Sequence, residues 1–177
     1  MSTSLRSETA ALVRLADRDL DRLWRLIEQG AVAGDVLHEL LPAIIREYGA
    51  VGGALAAEWY DDLRVKAEKK GRFVAVPLAA DDRGSHVLVG WAVNTARDDT
   101  TLKTLIHGGV QRRIADHVRL TVTSNAVADP GARGWVRVGV GGSCDWCDQY
   151  LDGQVHTVEG YDFKAHDNCN CDVTVAF

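Results

Sequence analysis

Cysteine is absent from the first 143 of the 177 residues, and all four cysteines fall in the last 34. The two parts of the chain therefore follow different chemical logic. Long apolar runs are also lacking. No segment approaches the roughly 20 residues a membrane span needs, and Ala75–Ala80 is far too short. A cleavable leader is not expected at residues 1–20, because Arg6, Glu8 and Arg14 interrupt Leu5 to Leu15. That speaks against two disulfides of a secreted domain as the use of the cysteines. No internal repeat or low-complexity tract is present. Basic charge is scarce in residues 133–177, where Arg133, Arg137 and Lys164 face seven acidic side chains. A module built to grip phosphates would carry the opposite sign, so direct nucleic-acid binding is not expected.

What is present at that end is the pattern Cys144-x2-Cys147-x18-His166-x2-Cys169-x-Cys171. A Cys-x2-Cys turn aims two sulfurs at one point, and a second cluster about twenty residues on can close a tetrahedral zinc site. Gly141-Gly142-Ser143 lets the backbone bend before the first pair. Cys169 and Cys171 share a face if their segment is extended, because the side-chain period is two. A redox Cys-x2-Cys pair would leave Cys169 and Cys171 unexplained. Five side chains thus compete for four places: Cys144, Cys147, His166, Cys169 and Cys171. Either four thiolates bind with His166 as an outer donor, or His166 ligates beside three thiolates. Enough protein ligands exist to fill the shell, so the site is expected to be structural rather than catalytic.

The preceding residues read as helices. Leu12, Ala16, Leu20, Leu23 and Ile27 recur at helical spacing over Leu5 to Ile27, with Gly30 and Gly34 as stops. Asp35 is placed to cap a second helix with the stripe Leu37, Leu41, Ile44, Tyr48, Val51, Leu55, Trp59 and Leu63. Pro42 should kink that helix or stand in its first turn. Residues 72–83 form a connector, a short apolar helix follows around Val87–Val93, and Asp99 or Thr100 caps a last long helix. Leu102, Ile106, Val110, Ile114 and Val118 make its buried face, while Arg112, Arg113 and Arg119 read as solvated. His107 and His117 lack ligands at metal spacing and read as packing or surface histidines. Alternation from Trp135 to Val140 and over Val173–Phe177 predicts two strands, and Cys144–Leu151 a turn or two of helix. The fold class expected is α+β: a mainly helical body over 1–131 and a zinc-stapled β/loop module over 132–177.

Two segments resemble a known family. One is Ala56 to Arg64 (Ala-Ala-Glu-Trp-Tyr-Asp-Asp-Leu-Arg), behind a helix with Leu41-Pro42 and Tyr48-Gly49. The other is Trp135 to Phe177, with Gly-Gly-Ser-Cys-Asp-Trp-Cys and Phe163-Lys164-Ala165-His166-Asp-Asn-Cys169-Asn-Cys171. Together they resemble the Mu F-like minor head (head morphogenesis, minor capsid) proteins of tailed bacteriophages, in the form found in actinobacteriophages. The resemblance implies a non-enzymatic virion protein, assembled in the host cytoplasm and located in the head. It implies docking to portal or major capsid protein, with self-association left open and no membrane role. It also implies a metal at Cys144, Cys147, His166, Cys169 and Cys171. No Gly-x-Ser-x-Gly elbow is present, and the length suits the morphogenesis domain alone. Trp59 reads as core and Tyr60, off the apolar stripe, as an interface anchor. Two other classes stand beside this one. A zinc-stabilised nuclease would draw on His156, His166, Asp167 and Asn168, against which stand the acidic module and the lack of a second metal set. A cellular zinc-binding adaptor is the other.

Overall fold

In the computed structural model, the residues described are 4–78, 83–139, 145–158, 163, 165–167, 169 and 171–177. The chain runs through α1 (Leu5–Glu28), a 3-10 turn (Gly34–Val36), α2 (Leu37–Lys66), α3 (Arg83–Thr95) and α4 (Asp99–Ala128). It then continues through β1 (Gly134–Val138), α5 (Asp145–Asp148) and β2 (Asp172–Ala176). The two strands pair antiparallel, with Trp135 opposite Val175 and Arg137 opposite Val173. The α+β expectation therefore stands. No helix among the described residues is long and apolar enough to cross a membrane.

The starts of α1 and α4 show how local chemistry sets a helix. Ser4 caps α1, its hydroxyl accepting from the Ser7 N–H at 3.3 Å. Asp98, one residue before the expected caps, holds α4: its carboxylate accepts from Thr101 N–H at 2.7 Å. That bond, with a second from the Thr101 hydroxyl, holds the Asp98 carboxyl below the usual carboxylate range. Asp35 does not cap α2. The chain enters through the 3-10 turn, so Asp35 already lies inside a helical turn, and Val36 precedes α2 without a side-chain cap. Pro42 sits inside α2 rather than at a break, where its missing N–H leaves the His38 carbonyl without a helical donor.

Helix α4 is the axis of the fold, with α1, α2, α3 and both strands packed on it. One apolar cluster joins Leu20, Leu41, Ile45, Ile106 and Ile114, all fully buried. Each such side chain contributes about 1.5–3 kcal/mol by leaving water. A second cluster runs from Ala56 and Tyr60 on α2 and Val122 on α4 to Trp135, Cys147 and Val173. The cysteine segment is thus packed into the same core as the helices.

The buried face of α2 is rotated from the expected stripe. Gly49, Gly52, Gly53, Ala56, Ala57 and Tyr60 face inward, while Val51 is 45% exposed and Trp59 only half-buried. The cause is close helix approach: a Cβ at Gly49 would overlap the buried ring of His117 on α4. Small residues win the interface, and the larger side chains are turned to its margins. Tyr60, expected at an interface with a partner, is fully buried. Its hydroxyl donates to Asp129 at 3.3 Å, and Arg64 Nε meets the same carboxylate at 2.9 Å. Arg64 also donates to the carbonyls of Lys69, Lys70 and Gly71, closing the turn after α2.

The connector at 72–78 is extended along α2 and α4, and helix side chains supply its hydrogen bonds. Asn125 accepts from Val76 N–H and donates to Val76 C=O, both at 2.9 Å. Asp61 accepts from Ala75 N–H and Thr121 from Leu78 N–H.

Candidate metal centre

The two halves of the cysteine pattern are brought together by the sheet and by a bridge beside it. Gly134 opens β1 at φ +135°, and a Cβ there would overlap the His156 carbonyl, so only glycine fits. Trp135 and His156 then exchange backbone hydrogen bonds at 3.0 and 2.8 Å, with their rings stacked 4.4 Å apart. This returns the chain after α5 to β1. Cys147 lies on α5, whose end is closed by Tyr150 N–H donating to the Cys147 carbonyl. A turn in which Cys169 N–H donates to the His166 carbonyl at 3.1 Å precedes β2.

Cys147, His166 and Cys169 converge, their ligand atoms all within 4.8 Å of one another. The Cys147 and Cys169 sulfurs are 3.6 Å apart, and His166 Nε2 lies 3.0 Å from the Cys147 sulfur. Cys147, Cys169 and Cys171 are buried free thiols. His166 Nδ1–H donates to the Asp167 carbonyl at 2.7 Å. That bond fixes the tautomer, leaving the Nε2 lone pair toward the sulfurs. Two thiolates on a tetrahedral zinc stand about 3.8 Å apart, and a thiolate and an imidazole about 3.6 Å. The sulfur pair already has that spacing, and the imidazole needs to withdraw by about half an ångström to admit an ion. The donor set suits a metal that takes sulfur and nitrogen.

The electrostatics around the sulfurs are positive. Arg119, 5% exposed, donates to the Cys169 carbonyl at 3.1 Å and the Cys171 carbonyl at 2.9 Å, and pairs with Asp116 at 2.9 Å. Arg137, also buried, donates to the Phe163 carbonyl and lies 3.9 Å from the Cys147 sulfur. The two guanidiniums sit 4.9 and 4.2 Å from the Phe163 ring centroid. Burial pushes the Cys169 thiol up. The Cys171 backbone N–H, the Arg119 charge and the thiols of Cys147 and Cys171 outweigh it, and the thiol falls below its ordinary value. A cleft of about 280 Å³ is lined by Arg6, Thr9, Ala10 and Val13 of α1 together with Cys169 and Cys171.

Of the five expected ligands, three are assembled. His166 takes part in the cluster rather than standing outside it. Cys171 lies beside Cys169, its thiol hydrogen-bonded to it. Cys144 lies outside the described residues. Among the residues weighed for a nuclease, His156 stacks on Trp135 and meets Asp152 at 3.5 Å, Asp167 pairs with Arg112 at 3.5 Å, and Asn168 is outside the described residues.

Arg119 corrects the sequence reading, which placed it on a solvated face. Arg113 likewise folds back, donating to the Gly84 carbonyl at 2.6 Å, and its burial and the charge of Arg112 lower its basicity. The signal for Arg119 was available: Ala115, Arg119, Val122 and Ala126 form one helical stripe of buried residues. Arg137 shares the inward face of β1 with Trp135, while Val136 and Val138 are half-buried. Period-two alternation marked two faces but not which was inner.

Comparison with curated proteins and with solved structures returns no match. A family model, described as VG15 protein, matches residues 2–177. With a match over nearly the whole chain, this protein belongs to the VG15 protein family, a family of phage proteins.

Proposed function

We propose that this chain is a structural head protein of a tailed phage, a minor capsid or head morphogenesis component without enzymatic activity. It docks on portal or major capsid protein within the virion head. Membership of a phage family supports the setting, and the Mu F-like pattern of Trp135 to Phe177 supports the finer assignment. The observation that carries the reading is the Cys147–His166–Cys169 cluster, whose two cysteines are buried in the same apolar cluster as Tyr60 and Val122. A metal there ties the C-terminal segment to the helical core, which suits a short segment with little apolar surface of its own. The ion proposed is zinc, held by Cys147, His166 and Cys169, with Cys144 or Cys171 as fourth ligand. Cys144 enters through its Cys-x2-Cys spacing alone.

The test has two arms. Protein purified under reducing conditions without added zinc should carry about one zinc per chain by elemental analysis. Co-expressed with portal and major capsid protein, it should co-purify with one of them and leave DNA uncut in added divalent metal. Metal-free protein with intact thiols would remove the staple. Cleavage of DNA would replace the head-protein reading with the nuclease.

A further inference from the structure

Arg137 is a buried cation with no carboxylate partner among the described residues. Its residue is 6% exposed, and no acidic side chain among the described residues pairs with it. One guanidinium nitrogen donates to the Phe163 carbonyl, the other terminal nitrogen faces the Cys147 sulfur at 3.9 Å, and Nε has no hydrogen-bond partner. The guanidinium carbon lies over two aromatic rings, 4.2 Å from the Phe163 centroid and 5.5 Å from that of Tyr150. An unpaired guanidinium in a core is costly, because arginine does not shed its proton. Arg119, whose guanidinium also lies near the Phe163 ring, differs: it pairs with Asp116 at 2.9 Å.

A metal bound by thiolates would offer such a guanidinium a counter-charge. Each cysteine ligand is an anion, so a divalent ion with three thiolates carries a net charge of minus one. We propose that Arg137 is the counter-charge of the metal–thiolate centre, its guanidinium donating to the Cys147 sulfur and strengthening retention of the ion. This rests on the metal reading of the Cys147–His166–Cys169 cluster. It assigns to Arg137 a positioning and charge-balancing role that ligand spacing alone does not reveal. Position 137 on β1 suits that role, since the antiparallel partner Val173 lies two residues beyond Cys171. The sheet thus fixes the guanidinium relative to the cysteine segment.

The experiment compares zinc affinity in the full chain and in two variants, by competition with a chromophoric chelator. Arg137→Gln keeps a planar, stacking group without charge, and Arg137→Lys keeps the charge without the plane. The expected order is wild type, then Arg137→Lys within about threefold, then Arg137→Gln weaker by about 10- to 100-fold. Replacing zinc by cobalt adds a spectroscopic readout, because the sulfur-to-metal charge-transfer band should move in Arg137→Gln and return in Arg137→Lys. Equal affinity in all three proteins, or the reverse order of the variants, would overturn the counter-charge while leaving the metal site standing. A wild-type chain that binds no zinc would overturn both. Should the glutamine variant fail to fold, the wild type decides with cadmium-113 bound. A scalar coupling between the cadmium and an Arg137 guanidinium proton is expected, and its absence at low temperature overturns the contact.

Discussion

The guanidinium of Arg119 donates to the Cys171 carbonyl at 2.9 Å, joining the middle of α4 to the residue before β2. The same nitrogen also reaches the Cys169 carbonyl. One helix side chain therefore holds the loop that carries a candidate ligand. Replacing Arg119 by Met leaves two buried carbonyls without a donor. Each charge-assisted bond is worth about 1.5–3 kcal/mol, so the variant should lose about 3 kcal/mol or more in urea denaturation. It should also release zinc to a chelator faster than the wild type. Unchanged stability would show that the loop is held by the sheet alone.

Cys147 is the sulfur shared by both short contacts of the cluster. Cys147→Ser should reduce zinc from about one per chain to a small fraction, and should lower the melting temperature. Chelator should lower the melting temperature of the wild type but barely affect the variant. Equal metal content in both proteins would remove Cys147 from the ligand set.

Asp129 is wholly buried and receives Tyr60, Arg64 and the Gly131 N–H. Burial, followed by the neighbouring Asp129 charge, raises the Tyr60 hydroxyl well above the ordinary tyrosine value. Asp129→Ala leaves a buried arginine without its partner, and removing one member of such a pair costs about 3–5 kcal/mol. The expected result is a marked fall in the urea midpoint with the slope retained. A loss below about 1 kcal/mol would mean that Arg64 is satisfied by the Lys69, Lys70 and Gly71 carbonyls alone.

Tyr48 on α2 donates to Asp19 on α1 at 2.6 Å, and this bond raises its hydroxyl from the ordinary tyrosine value of 10.0 to about 12. The folded state holds this proton more tightly than the unfolded state. The contribution is therefore complete below pH 10 and is lost as pH climbs from 10 toward 12. Stability should fall across that range, and Tyr48→Phe should flatten the fall without abolishing it, since Tyr60 acts in the same sense. Identical slopes in the two proteins would break the Tyr48–Asp19 assignment.

Much of this organisation was legible in the chain itself. The stripe Leu12, Ala16, Leu20 and Leu23 lies on the buried face of α1, and Ile106, Val110, Ile114 and Val118 on that of α4. Helical periodicity and capping are local effects, readable within a few residues. The cysteine spacing pointed to Cys147, His166 and Cys169 for a related reason: ligand reach constrains separation along the chain. What only the tertiary structure decided is which face of α2 turns inward and what becomes of the arginines. Gly49 and Gly53 won the helix interface over Val51 because close approach rewards small residues, and that depends on the shape of α4. Arg119 and Arg137 became buried because Phe163 and the cysteine segment closed over them. A charged side chain looks solvated in sequence until the group that covers it, more than twenty residues away, is folded into place.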